Sequence, residues 1–513
     1  MKNSFLVLLL IAFAFPVFGI EVVSLPLPKS DKIVVKLMFR NGSMMDPKGM
    51  EGLTNLTSDL LLDGGTTKLS SGQVNELLYP LAARNYSSTD KEVSTFTFEF
   101  HKDHESILVP LIIDFFMQPG FHEEDFQRLK SNQLNYVNEV IRASSDEEYS
   151  KMALEDLLFR GTNYQHMVNG TTSGLEKITL DAVRNHFKSA YTTEGLMLGI
   201  AGNYSAGMLA TLQNAFTKLP AGSGVKPVAG KANTPNGLEV EIISKSNALG
   251  SAIFTGFPLP VTRKDADFAA LMVANSWLGE HRKSYSRLYQ KIREQRSMNY
   301  GDYSYIEWYE NGGSNMLPQP GYPRSSNYFS IWIRPVQTAE GLIKQYPELS
   351  AITVGHAHFA LRMALKEMKM ITDNGFTKED FELTRDFLRS YIKLYIQTPA
   401  KQLGFLMDSK FYGRKDYIAE LDAQLAKLTL TDVNAAMKKY WQTDNMFITI
   451  VTDDSEAESL KKSLMNNEVS PMSYSDALKT SLPAALLQED TVVSKVPLNV
   501  KKVTIVDSDK TFR

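Results

Sequence analysis

The 513-residue chain contains no cysteine, which removes disulfide frameworks, thiolate metal sites, cysteine nucleophiles and a lipid-bearing cysteine from consideration. An excess of charge of one sign is also missing: 55 Lys and Arg stand against 58 Asp and Glu, a formal net charge of -3, with no basic block. Nucleic acid and anionic membrane surfaces therefore find no electrostatic footprint. There is no GxSxG nucleophile elbow and no P-loop. No apolar run reaches the ~20 residues that span a bilayer. Histidine is scarce, with eight in all, so any metal centre has few ligands to draw on.

What is present is an ordinary globular composition, 43% hydrophobic and 22% charged, enough for two to four domains. The N-terminus MKNSFLVLLLIAFAFPVFG has Lys2, an apolar run from Phe5 to Phe15, and small residues Val17 and Gly19 where a signal peptidase reads. Residues 1–19 are expected to be a signal peptide cleaved after Gly19, with a signal anchor as the alternative. The mature chain is then exported and soluble, without stable membrane insertion. An exported chain lacking disulfides points to a bacterial periplasm.

The sequence repeats itself. Lys177-Ile-Thr-Leu-Asp-Ala-Val183 and the strand-like Leu196 to Ala201 match Lys427-Leu-Thr-Leu-Thr-Asp-Val433 and Met446 to Val451, an offset of 250 from Lys177 to Lys427. Phe121-His-Glu-Glu-Asp-Phe126 matches Phe376-Thr-Lys-Glu-Asp-Phe381 at 255. Two matches in the same order indicate a duplicated domain. Period-2 segments predict strands over Ile33–Arg40, Val93–Phe100 and Tyr328–Pro335, and helices are expected over Glu123–Ser144 and Asp380–Gln397. Strands in groups and helices in runs give an α+β class. A Gly/Pro/Ser-dense linker at 220–237 divides an N-terminal domain (20–219) from a C-terminal one (238–465). Residues 466–513 lose periodicity and read as a peripheral tail.

Phe39 to Thr66 reads FRNGSMMDPKGMEGLTNLTSDLLLDGGT. A strand, a Gly-Ser turn and Gly52-Leu53 leading into a helix resemble the first active-site segment of the pitrilysin/insulinase family of zinc peptidases. Phe159-Arg-Gly-Thr-Asn-Tyr164, Thr179-Leu-x-x-Val, and the block Ser286-Arg-Leu-Tyr-Gln-Lys-Ile-Arg-Glu-Gln-Arg-Ser-Met-Asn-Tyr300 are similar to family motifs. The resemblance covers most of the mature chain and implies two homologous α+β domains facing each other across a chamber, as in the shorter bacterial, processing-peptidase-like members.

In active members the helix carries His-x-x-Glu-His, in which two imidazoles bind zinc and a carboxylate takes a proton from metal-bound water. Here those five positions read Asn55, Leu56, Thr57, Ser58 and Asp59, so neither imidazole nor the Glu is present. The family's third ligand, a Glu, falls between Asn135 and Glu139 by counting, and a solvated helix position is the competing reading of Glu139. The histidines supply no replacement. His101 and His104 straddle a strand-to-helix turn, His356 and His358 point to different sides of a helix, and His122, His166, His186 and His281 are isolated. The expectation is that this chain binds no cofactor, and that zinc resides in a partner.

Arg293 and Tyr300 remain, seven residues apart. In active relatives an Arg and a Tyr at this spacing reach from the second half toward the zinc-bound peptide and can stabilise its oxyanion. The alternatives are a salt-bridging face for Arg293 and a core position for Tyr300. The resemblance implies a division of labour in which a chain without the zinc motif pairs with a zinc-bearing paralogue and contributes Arg293 and Tyr300 to a shared peptide chamber. The runner-up is an enzymatically inactive peptide-binding or scaffold protein, and a zinc endopeptidase with unrecognised ligands ranks last. The loop over residues 305–325 reads as a chamber lid, a partner contact or a surface insertion.

Overall fold

The first half contributes five strands, β1 (Glu21–Pro26), β2 (Lys32–Phe39), β3 (Arg84–Thr89), β4 (Ser94–His101) and β5 (Leu196–Gly202), of which β2 and β5 are near-continuous apolar runs. Six more follow, β6 (Leu238–Lys245), β7 (Ser251–Pro258), β8 (Asp302–Tyr305), β9 (Tyr328–Val336), β10 (Met446–Asp453) and β11 (Val500–Asp507). The computed structural model describes residues 20–222, 228–309, 319–394 and 396–513. Residues 1–19, where a signal peptide is expected, residues 223–227 of the linker, residues 310–318 of the aromatic loop and residue 395 lie outside the described residues.

The strands form two mixed sheets, ordered β1-β5-β2-β4-β3 and β11-β6-β10-β7-β9-β8. In the first, β1 runs parallel to β5, while β5 with β2, β2 with β4 and β4 with β3 are antiparallel. Replacing these strands by β6, β10, β7, β9 and β8 reproduces the second sheet with the same directions. The duplication seen in sequence is thus a duplication of topology, and the class is α+β. Helices cover both sheets, and among the described residues none is long and apolar enough to cross a membrane.

Two features depart from the sequence reading. The segment after 466 is not a peripheral tail: β11 lies parallel to β6 as an edge strand, with Val503 opposite Val240 and Ile505 opposite Ile242. The halves also exchange helices. Asp146–Phe159, from the first half, lies against β7 and β10 of the second sheet, where Ser150 Oγ is 3.0 Å from Thr449 Oγ1. Pro399–Phe411, from the second half, lies against β1, β2 and β5, where Leu403 and Met407 join Val23, Val34, Met38 and Met197 in a small separate core. Gly199 on β5 permits this close approach, because a Cβ there would stand 2.4 Å from Met407 Sδ. A boundary at 220–237 divides the sequence but not the packing.

Candidate functional site

The helix Leu53–Asp63 carries the degenerate motif and begins at Gly52, whose φ of 102° puts it in the left-handed region. Gly52 has no side chain to cap the helix, so Asp46 does it from upstream. Its carboxylate accepts the Gly52 and Thr54 backbone N–H groups at 2.7 Å each, the Thr54 hydroxyl at 2.6 Å, and sits 3.1 Å from His166 Nε2. On the other side of Thr54 Oγ1, His186 Nε2 lies at 3.0 Å. The FRNGS turn explains itself sterically: a Cβ on Gly42 would fall 2.3 Å from the Lys91 carbonyl carbon and 2.4 Å from the Glu92 nitrogen.

The three motif positions sit in a hydrogen-bonded polar cluster. Asn55 Nδ2 donates to Asp59 Oδ2 and to Gln133 Oε1, both at 3.2 Å. Ser87 on β3 donates to Asp59 Oδ1 at 2.8 Å. Burial, aided by Asp63 and opposed by the Ser87 and Asn55 hydrogen bonds, pushes the Asp59 carboxyl up to about 7. Ser58 is fully buried; its Oγ lies 2.8 Å from the Tyr191 hydroxyl, accepts from Thr89 at 2.9 Å and is 3.2 Å from Ser94 Oγ.

This donor set does not fit zinc. Asn55 uses its amide on two neighbours, Ser58 is closed into a hydroxyl cluster, and the one carboxyl is poised toward its neutral form, whereas zinc takes three or four imidazole, thiolate or carboxylate ligands. Among the described residues no group of three or more His, Asp or Glu converges on a metal-sized point. The remaining histidines have other partners. His101 ends β4 and His104 precedes the next helix, their rings 6.0 Å apart. His356 Nε2 lies 3.1 Å from the Ser473 carbonyl and His358 Nδ1 2.8 Å from Ser463 Oγ, and burial lowers these rings to about 4 and about 3. His281 Nδ1 lies 2.5 Å from the Tyr305 hydroxyl, and His122 Nε2 3.3 Å from the Thr66 carbonyl.

The third-ligand position expected between Asn135 and Glu139 falls on the helix that follows Glu123. Both residues are exposed, Glu139 on a π-helical stretch Tyr136–Ser144. The side chain that meets the motif helix is Gln133, buried, bonded to Asn55 and donating to the Gly52 and Asn169 carbonyls at 3.1 and 2.8 Å. The signal was available: Gln133 is the polar member of the stripe Phe126, Leu129, Gln133, Val137, Ile141.

Arg293 and Tyr300 lie in the second half. Arg293 is on a π-helical turn, Tyr289–Glu294, with Nη1 2.9 Å from Glu294 and its guanidinium 5.5 Å from the Tyr289 ring centre. Tyr300, two residues before edge strand β8, is 80% exposed, so it is not a core residue. No hydrogen bond or ring contact joins either to Asn55, Ser58 or Asp59. The described ends of the 305–325 loop are not a surface insertion. Trp308 and Tyr309 are buried, and Arg324 reaches into the first half, its Nη2 and Nε 2.6 and 2.7 Å from the two Asp90 oxygens and its Nη1 2.7 Å from Glu155.

Residues 21–180 match the family model described as insulinase (peptidase family M16), and residues 177–388 match that of the peptidase M16 inactive domain. The chain is 22% identical over 422 residues to the protein named non-peptidase homolog YmxG of Helicobacter pylori, covering 82% of this chain and 88% of that one. It is 22% identical over 299 residues to an uncharacterized zinc protease YmxG of Bacillus subtilis, covering 58% and 70%. A crystal structure of the M16 inactive domain from Pseudomonas fluorescens shares the fold at a TM-score of 0.71 and 19% identity, over 85% of this chain and 96% of that chain. With both halves matched, the chain belongs to the insulinase family, peptidase family M16, and its motif helix holds Asn55, Ser58 and Asp59 at the positions of the two imidazoles and the Glu.

Proposed function

We propose that this chain is an exported, periplasmic, non-catalytic subunit that pairs with a zinc-bearing insulinase-family paralogue and supplies Arg293 and Tyr300 to that partner's peptide chamber. The observation that carries the reading is Tyr300: a large aromatic residue, 80% exposed, whose hydroxyl has no hydrogen-bond partner among the described residues. Arg293 stands seven residues earlier with its side chain 37% exposed, which leaves guanidinium N–H groups within reach of a group that arrives from outside.

In the complex, the phenol and guanidinium donate to the oxygen of the scissile carbonyl as negative charge develops there, while the partner supplies the metal and the water. The peptide main chain adds to an open sheet edge; β3 and β8 each end a sheet and pair on one side only. A scaffold role without catalysis is the second reading, favoured by the ion pair that Arg293 makes with its neighbour Glu294. Co-expression with a paralogue bearing His-x-x-Glu-His tests the pairing. The expected result is a stable complex by size exclusion that cleaves peptides; two separate monomers would defeat the proposal.

A further inference from the structure

A cavity of about 870 Å3 opens beside the start of the motif helix, walled by the loop before that helix, the loop 160–166 behind Asp146–Phe159, β6 and the segment that follows β11. Small-molecule sites occupy roughly 300–1,000 Å3. Neither the motif positions Asn55, Ser58 and Asp59 nor Arg293 and Tyr300 line it.

The wall carries the carboxylates of Asp46, Glu51, Asp156 and Glu241 and the cations of Lys48, Arg160, Lys510 and Arg513, so its formal charges cancel. The two signs differ in how far they are already engaged. Asp46 holds the start of the motif helix and His166, and Glu51 accepts the Gly49 N–H at 2.8 Å. Asp156 and Glu241 both take Arg160, at 2.7 and 3.1 Å, and Asp156 also accepts from Gln165 at 2.9 Å. Lys48 and Lys510, by contrast, make no ion pair or hydrogen bond among the described residues, and Arg513 uses only its Nε, on the Asp509 carbonyl. An incoming cation meets spent acceptors, while an incoming anion meets unspent donors.

His166 adds a fixed donor. The Asp46 side chain is fully buried and, as a carboxylate, can only accept, so His166 turns its Nε2–H toward it at 3.1 Å. That leaves Nδ1 without a partner among the described residues, on a ring that lines the cavity; when the ring carries its second proton, Nδ1 donates as well. The wall made by 510–513 is held in place from the first half. The Phe512 carbonyl accepts from the Thr172 N–H at 3.1 Å and from Arg142 at 3.2 Å, and its ring stands edge-on to Tyr149 at 5.2 Å. Binding there would order little that is not already ordered.

We infer that this cavity binds a small organic anion of two or more negative charges, whose oxygens are held by Lys48, Lys510, the free end of Arg513 and His166. Ammonium groups act as point charges and the guanidinium fork fits carboxylate and phosphate alike. Ala153, Val506 and Phe512 give the carbon skeleton an apolar wall. The inference concerns this chain alone and stands or falls separately from the partner-subunit proposal.

Citrate and inorganic pyrophosphate serve as probes on the wild-type chain, at constant ionic strength, with spermidine as the cationic control. Calorimetry is expected to show saturable binding of at least one anion at one site per chain, the tighter of the two identifying the anion as carboxylate or phosphate. Amide exchange should slow in residues 46–51 and 508–513. Lys48→Gln combined with Lys510→Gln, two exposed changes, should weaken the binding about tenfold. Binding that does not saturate, protection confined to other segments, an undiminished affinity in the double variant, or tighter binding of spermidine would overturn the inference.

Discussion

Replacing Asp59 by Asn should stabilise the protein at high pH and leave it unchanged at low pH. The Asp59 carboxyl rises from 3.8 to about 7, chiefly through burial. Between those values the folded chain holds a proton that the unfolded chain has released, so stability falls as pH rises from about 4 to about 7 and stays reduced above that. A shift of this size corresponds to ~4 kcal/mol at most. Residual solvent access at Asp59 lowers the expectation to about 3 kcal/mol. An asparagine has the same shape and does not titrate. Its oxygen can accept the Asn55 N–H and its amide can donate to Ser87 Oγ, so no buried group is stranded. Urea unfolding of wild type and Asp59→Asn, followed from about pH 3 to about pH 8.5, gives the difference directly. The two curves should coincide at the acid end and separate steadily up to about pH 7. A difference independent of pH, or a destabilised variant at pH 8, would refute the view of this site as a neutral polar network.

Three further perturbations probe the surroundings. Gly42→Ala puts a methyl into the backbone of Lys91 and Glu92 and should lower stability by ~1–3 kcal/mol in thermal unfolding; an unchanged midpoint would show that the turn relaxes freely. Leu403→Ala, in the helix that the second half lends to the first sheet, should cost ~2–5 kcal/mol while unfolding remains a single transition reported alike by probes in both halves. Separate transitions would contradict the interlocked packing. Asn55→His, Ser58→Glu and Asp59→His combined with Gln133→Glu should bind about one zinc per chain by elemental analysis. The same triple variant with Gln133 kept should hold it more weakly. Equal binding would mean that Gln133 does not occupy the third-ligand position.

Local periodicity was legible in the sequence. β2, β4 and β9 fall within a residue of their expected spans, because each is a continuous or alternating apolar run buried on a sheet. The helical run predicted from Glu123 to Ser144 exists, although it changes from α to π geometry at Tyr136. What sequence reading missed depends on partners distant along the chain. β11 has few fully buried positions because it is an edge strand, so its pattern is too weak to distinguish from a tail. The exchange of Asp146–Phe159 and Pro399–Phe411 leaves no local mark, since an amphipathic helix looks the same whichever sheet it covers. Arg324 gave no signal either: a lone arginine in a Pro/Gly-rich loop reads as solvated, and only the fold brings Asp90 and Glu155 to it. At the site, the loss of zinc ligands was plain from Asn55, Ser58 and Asp59, whereas Asp46 as cap and Gln133 as neighbour needed the packing of helices.

The central claim is that Arg293 and Tyr300 serve a partner's active centre, and peptide hydrolysis by the reconstituted pair tests it most directly. With saturating zinc-bearing partner, Arg293→Ala and Tyr300→Phe should each lower the cleavage rate by about 10²-fold, the usual cost of removing an oxyanion donor, while the complex elutes intact. A pair that forms normally and cleaves at the wild-type rate with both substitutions present would contradict the account.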